Sequence, residues 1–552
     1  MNRWTRLGTS IVILAGMTME EFAVGAEIPL AAPPAVRDVG GRKQLFMDHR
    51  FVEQKENVQH VVNPPEEHVP VLPGEGFETE SINGYSTVIQ QRADGPVRLY
   101  ASVLDDYAPV IRDWLAGKLQ RWPERSRGQT PKIRDVTLRL YESDDGLHFR
   151  RPRLGLVEHH GSKDNNVVLT GRVEATPFFD TNPKCPAEER WKLITSENTP
   201  IMLDDPRRPA QQGLALWVSP DGLRWSRKPT MLTNDTVETP IPAWWDERIG
   251  KYVAYQRRGG SGRIVDRVDE AMRRLTGGRD VLFKPGVPSR ATSRVEVDDL
   301  SAPWPQPPDF VFSTDRLDPS NSDFYQTCAC KYPWAEDVYL AFPPLYRHTP
   351  PPIGLDGNDG PLCTQFACSR DGVFWMRPER KPYLRPGLAT QGSRGFNFML
   401  LGMARYGDWI YQYYRIAGAT HHGTLNTLPR EELRRLLAGN IICAKQRLDG
   451  FVSLDAAYAG GWITTPPIRF EGSRMELNID TEAAGTAFVE LREAGGKPVP
   501  GHALADCDEI GGNYLAKTVT WHGKSDVSQL ADKPVRLHIR MRATKLYGFQ
   551  FR

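Results

Sequence analysis

Beyond its N-terminal stretch the sequence has no run of about 18 apolar residues, the length a helix needs to cross a bilayer, so no membrane span is expected. It has almost no excess of charge. Its 70 Lys and Arg stand against 68 Asp and Glu, a net of +2, with no basic tract or acidic tail. Nucleic acid therefore finds no electrostatic footprint. Cysteine is scarce and odd in number: seven residues, at 185, 328, 330, 363, 368, 443 and 507, in spacings that fit no zinc framework. One disulfide stays open as an expectation, but no pair stands out. Four signatures are missing: His-Glu-x-x-His, a Gly-Lys-Ser/Thr phosphate loop, Gly-x-Ser-x-Gly and a dinucleotide fingerprint. Their absence argues against metalloprotease, nucleotide-dependent and serine-esterase chemistry, and no cofactor or metal is expected. Helical periodicity is confined to two short stretches, Tyr107–Gln120 and Leu428–Leu437, which read as loop insertions.

What is present is turn chemistry. The 45 prolines and 48 glycines fall in short clusters, as a chain of many strands requires. At the N-terminus Arg3 and Arg6 precede the apolar run Ile11–Ala15, and Val24-Gly25-Ala26 supplies small residues for cleavage. Residues 1–26 are expected to be an export signal and 27–40 a linker, so the protein is expected to be periplasmic or extracellular.

The strongest internal signal is a repeat. Ser-x-Asp-Gly followed by an aromatic residue occurs at Ser143–Phe149, Ser219–Trp225 and Ser369–Trp375, with the Asp positions 76 and 150 residues apart. A degenerate copy is expected near residue 296, where Ser293–Trp304 carries Asp298 and Asp299 without the glycine. Asp-Gly favours a tight hairpin turn, and the Ser and Asp side chains can cap its amides. These aspartates are therefore structural. Strand-like segments at Leu138–Tyr141, Leu214–Val218 and Thr364–Cys368 lead into the turns, and further hairpins read at 244–255 and 406–414. A unit of roughly 75 residues with about four strands is one propeller blade with generous loops. Residues 41–445 then hold five blades. After residue 446 the spacing stops and strict alternation begins, as in Val535–Arg542 and Phe488–Arg492, which predicts an antiparallel β-sandwich over 446–552. The fold class expected is all-β: a five-bladed β-propeller followed by a C-terminal β-sandwich.

Several phrases carry a family likeness: Leu45-Phe-Met-Asp48, Leu154–Glu158 with Gly161–Asn166, Phe178–Pro183 followed by Glu189–Lys192, and in the C-terminal part Val499–Gly501, Asp506–Asp508 and Trp521–Asp526. Through them the chain resembles bacterial secreted five-bladed propeller glycosidase-like proteins, distantly related to glycoside hydrolase families 32 and 43. The resemblance implies a carbohydrate substrate and a site in a central cavity, with carboxylates supplied by the innermost strands of the first three blades. Glycoside hydrolysis generally needs two carboxyl groups, an acid and a base or nucleophile. On that basis Glu78 and Glu80 are candidates in blade one, Asp180 is the orienting carboxylate in blade two, and Glu238 is the general acid in blade three. Carboxylates ahead of a strand also commonly cap turns. Asp323, Tyr325, Arg294, Arg415, His421 and His422 are candidates for substrate contact, since sugars stack on aromatic faces and bond to Arg and His. Asp48, inside an apolar strand, reads as a satisfied structural residue. The Asn-Asp-Pro-Asn-Gly phrase and the Glu-Cys dipeptide of family 32 are absent, which keeps a non-catalytic carbohydrate-binding propeller as the alternative. A sialidase-like enzyme is a third reading and calls for arginines gathered about a carboxylate. The sequence assigns neither the sugar nor the oligomeric state.

Overall fold

The computed structural model describes residues 35–72, 82–104, 136–171, 174–197, 213–234, 237, 239–258, 290–306, 309–315, 317–319, 321–348, 360–388, 395–418, 420–421 and 440–552. The chain divides into residues 1–35 and one compact unit, Val36–Arg552. The two expected helical stretches, and the expected signal peptide, lie outside the described residues. Among those described the regular structure is all-β, with only short 3-10 turns besides strands.

Three sheets are four-stranded antiparallel meanders. One runs Thr176–Phe179, Trp191–Glu197, Gly213–Ser219, Ser226–Thr233. The next runs Ala243–Asp246, Lys251–Arg258, Ala291–Val297, Asp309–Phe312. The third runs Ala329–Lys331, Tyr339–Ala341, Ala367–Ser369, Trp375–Met376. An eleven-stranded sheet joins two more meanders: Thr87–Gln90 through Val97–Leu104 and Val136–Ser143 to Val167–Thr170, and Phe396–Tyr406 through Trp409–Ala417 to Asn440–Arg447. The latter is completed by Glu67–Leu72, which pairs antiparallel with Asn440–Arg447 from the other end of the chain. First strands of successive meanders are neighbours: Thr176–Phe179 packs on both Thr87–Gln90 and Ala243–Asp246, and Ala329–Lys331 packs on Phe396–Tyr406.

The strand expected over Thr364–Cys368 is split. Leu362–Thr364 pairs with Pro344–Arg347, whereas Ala367–Ser369 pairs with Tyr339–Ala341. The break falls at Gln365, whose amide bonds the Pro343 carbonyl at 2.9 Å, so one stretch serves two sheets.

The repeated turns are built as their chemistry dictates. Asp145, Asp221 and Asp371 each accept from a serine hydroxyl two residues earlier at 2.9–3.0 Å, and each caps two following amides at 2.8–2.9 Å. Gly146, Gly222 and Gly372 have φ of +74°, +76° and +72°, a region costly for residues with a Cβ. In the degenerate copy Asp299 performs the capping without glycine, accepting from the Ser301 amide and hydroxyl.

A second repeat was not legible beforehand. Each turn glycine's carbonyl accepts a hydrogen bond from a tyrosine of a different meander: Tyr413 to Gly146 at 2.8 Å, Tyr100 to Gly222 at 3.1 Å and Tyr255 to Gly372 at 2.7 Å. Arg98 and Arg294 add bonds to the carbonyls of Asp221 and Asp371 at 2.6 and 2.7 Å. The turns are thus latches between sheets as well as hairpin ends.

The ten-stranded sheet holds the C-terminal strands, chiefly the long pair Met475–Glu493 and Val535–Phe551. The alternation read from sequence is realised in register: Val489 opposes Ile539 and Leu491 opposes Leu537, all fully buried, while Arg540 and Arg542 face out. This sheet also takes in Arg37–Gly40, Gln44–Leu45, Gln54–Glu56 and Val58–Val62. Val39, Phe46, Phe51 and Val58 enter its core: Val39 and Val58 lie on strands paired with Ile468–Phe470 and Val452–Ala456, some 400 residues on, Phe46 directly follows Gln44–Leu45, which pairs with Val535–Phe551, and Phe51 sits in the short 3-10 turn His49–Phe51. Asp48 joins this region to the third meander, receiving Arg370 through both oxygens at 2.8 and 3.1 Å. All seven cysteines are free thiols.

Candidate functional site

Several strand ends deliver polar side chains to one buried cluster. Tyr85 lies just before Thr87–Gln90, and Arg257 near the end of Lys251–Arg258. Arg290 precedes Ala291–Val297, Asp323 and Tyr325 come from and just after Ser322–Phe324, and Tyr346 and His348 from and just after Pro344–Arg347. Arg415 is on Trp409–Ala417, with His421 beyond it. Strand ends are where a sheet scaffold can offer polar groups without losing ladder hydrogen bonds.

Tyr325 is the hub. Its hydroxyl lies 2.8 Å from that of Tyr85 and 2.9 Å from Nε2 of His421. Nδ1 of His421 is 3.4 Å from the Tyr346 hydroxyl. The Arg257 and Arg290 guanidinium carbons lie 5.4 and 5.5 Å from the Tyr325 ring centre, and Arg290 is 5.3 Å from that of Tyr346, within cation–π range. Asp323 is 1% exposed. It receives Arg290 on both oxygens at 3.2 and 3.0 Å and faces His348 Nε2 at 3.1 Å. Arg415 donates its Nε to the Ile82 carbonyl at 2.9 Å and stacks 5.1 Å from the Phe396 ring centre.

The electrostatics follow from burial and pairing. Burial opposes the charge on Arg290, but Asp323, Tyr325 and Tyr346 together outweigh it and raise the guanidinium above its ordinary range. Burial pushes Arg415 down to about 10, with only Tyr325 and Tyr85 favouring its charge. The Tyr85 hydroxyl is pushed far up, first by burial and then by Tyr325, so it keeps its proton at neutral pH and can donate. Glu174 also raises it. That glutamate is 2% exposed and stands two residues before Thr176–Phe179. It is a buried carboxylate at this end of the sheets which the sequence reading missed. The signal was there: an acid just ahead of a first strand, the criterion that singled out Glu238.

Of the residues expected to contact substrate, Asp323, Tyr325, Arg415 and His421 are brought together. Arg294 is elsewhere. It donates to the Tyr255 hydroxyl at 3.1 Å and the Asp371 carbonyl at 2.7 Å and pairs with Glu296 at 2.8 Å, holding a turn latch. Asp180 also has its own neighbourhood. It is fully buried, accepts from Tyr252 at 2.8 Å and the Asn182 amide at 2.9 Å, and pairs with Lys192 at 3.3 Å. Asp246 repeats this arrangement at the end of the next meander's first strand, with the Tyr339 hydroxyl and with Lys331 at 3.3 Å. The recurrence gives Asp180 a structural explanation, an anchor between adjacent sheets. Glu78, Glu80, Glu238 and His422 lie outside the described residues. Among the described residues no group of three or more His, Cys, Asp or Glu is placed to hold a metal ion, and no helix is long and apolar enough to cross a membrane.

The cluster can bind hydroxyl and anionic oxygens through Arg415, Tyr85 and His421, and its cations and rings offer stacking surfaces. No family model and no curated protein matches the chain. Among solved structures it is similar to glycoside hydrolase-like proteins. One described as a glycoside hydrolase has a TM-score of 0.40 and 14% identity, covering 70% of this chain and 92% of the other. A family 43 arabinoxylan arabinofuranohydrolase from Bacillus subtilis has a TM-score of 0.35 and 12% identity over 85% and 95%. A beta-1,2-mannobiose phosphorylase from Listeria innocua has a TM-score of 0.37 and 12% identity over 71% and 97%.

Proposed function

We propose that the chain is an exported glycoside hydrolase acting on a polysaccharide or oligosaccharide. In this reading the meanders that begin at Thr87, Thr176, Ala243, Ala329 and Phe396 are the blades of a five-bladed propeller. Glu67–Leu72 closes the ring by joining the last blade, and the C-terminal sheet folds as a β-sandwich. The observation that carries the proposal is the cluster around Tyr325. Buried arginine, tyrosine, histidine and carboxylate side chains from several sheets meet at one end of the sheets, where a purely structural core would place apolar groups. Asp323 and Glu174 are the described carboxylates at this cluster. Glu238, Glu78 and Glu80, ahead of first strands in the sequence, are the further acid and base candidates.

The test is a screen of the purified protein for reducing-end release across a polysaccharide panel, repeated with Glu174→Gln and Glu238→Gln. Loss of at least about a hundredfold in turnover with folding retained supports the assignment. Undiminished hydrolysis in both variants rejects these residues, and no release from any glycan rejects the enzyme. A second reading, non-catalytic carbohydrate binding, is favoured by one feature: Asp323 and Asp180 are both committed to ion pairs. Calorimetric binding without product would select it.

A further inference from the structure

Arg415 differs from five sequestered arginines that each pair with a carboxylate. Arg227 pairs with Glu197, Arg290 with Asp323, Arg294 with Glu296, Arg370 with Asp48 and Arg377 with Asp318, all at 3.0 Å or less. Arg415 is half-buried, uses Nε on a backbone carbonyl and lies against Phe396. Its two terminal nitrogens have no hydrogen-bond or ion-pair partner among the described residues. A guanidinium drawn out of water without a counter-ion is costly, and a protein that retains one commonly leaves the counter-ion to the ligand. The neighbours agree with this. Tyr85 and Tyr325 are the groups that favour the Arg415 charge, and no carboxylate shares the task. Asp323, the nearby acid of the cluster, is taken by Arg290 and His348. The Nη1–Nη2 edge is planar and matches a carboxylate through two parallel bonds.

We propose that the saccharide this site takes is acidic, a uronic acid unit whose carboxylate is received by the free edge of Arg415 while its ring packs among Phe396, Tyr85 and Tyr325. The inference rests on the carbohydrate reading above and narrows it to a substrate class. It has a second consequence: binding weakens as salt is raised, since the pairing is between opposite charges and salt screens it.

The experiment is isothermal titration of the full chain with oligogalacturonate, alginate and glucuronoxylan oligosaccharides, with their methyl-esterified or carboxyl-reduced counterparts, and with a sulfated oligosaccharide. At least one oligouronate is expected to bind roughly ten- to a hundredfold more tightly than its neutral counterpart, as a charge-assisted pair implies. The preference is expected to shrink in Arg415→Lys and to collapse to within about threefold in Arg415→Met, which keeps the apolar stem against Phe396. Thermal melts of both variants check that they fold, and the wild-type comparison stands whether or not they do. Equal binding of neutral and acidic forms overturns this inference and leaves the proposed function in place. Preference for the sulfated probe over every uronate overturns the carboxylate assignment. Binding of no saccharide at all overturns the proposed function, and this inference with it.

Discussion

If the Ser-x-Asp-Gly turns latch one sheet to the next, a single methyl group at the turn should unfasten them. A Cβ on Gly222 would lie 2.5 Å from the Tyr100 hydroxyl and 2.9 Å from the Trp191 ring, at a residue with φ +76°. The backbone conformation alone costs an alanine about 1–2 kcal/mol. Displacing Tyr100 breaks its 3.1 Å bond to the Gly222 carbonyl and strands a fully buried hydroxyl, a further ~1–3 kcal/mol. Gly222→Ala should therefore destabilise by roughly 2–5 kcal/mol. Gly161 provides the control. Its φ is +78°, yet nothing lies within 4 Å of the added atom, so Gly161→Ala should cost only the strain, ~1–2 kcal/mol. Equilibrium urea unfolding followed by tryptophan fluorescence measures both, read as shifts of the midpoint. Tyr100→Phe removes the atom that collides, so the penalty of Gly222→Ala should be smaller in that background, a coupling of ~1 kcal/mol or more. If the two glycine variants lose the same stability, or if the double variant is additive, the latch is refuted.

Asp180→Asn should leave Lys192, 4% exposed, with only the longer Glu189 pair at 3.7 Å and lower stability by up to about 3–5 kcal/mol in the same assay. Hydrolysis lost with stability intact would instead return Asp180 to the chemistry. Two histidines, His538 buried and His60 half-buried, set an acid limit. Burial is the main cause that lowers His60 and His538 from 6.5 to about 4. The unfolded chain therefore takes up protons between pH 6.5 and 4 that the folded chain refuses. Their contribution is complete above pH 6.5 and is lost as pH falls towards 4. The melting temperature should decline across that window, and less steeply in His538→Gln; a flat profile would contradict the burial of these rings.

The sequence by itself determined what depends on near neighbours. The Ser-x-Asp-Gly turns, their capping bonds and the hairpins at 244–255 and 406–414 are local events, so a few residues suffice to specify them. The alternation in Val535–Arg542 likewise fixed which face is buried, because strand side chains alternate with period two. Tertiary structure decided everything that depends on distant partners. Nothing local says that residues 37–62 pair with strands beyond 450, that Thr364–Cys368 splits between two sheets, or that a tyrosine from another meander closes each turn. The candidate site divides the same way. Residue type alone drew notice to Asp323, Tyr325, Arg415 and His421, and their meeting on one hub required the sheets to come together. Residue type also drew notice to Asp180 and Arg294, which the fold places in anchors and latches. A carboxylate or guanidinium has the same chemistry in either place, and only its surroundings decide whether that charge is spent on the protein or left for a ligand.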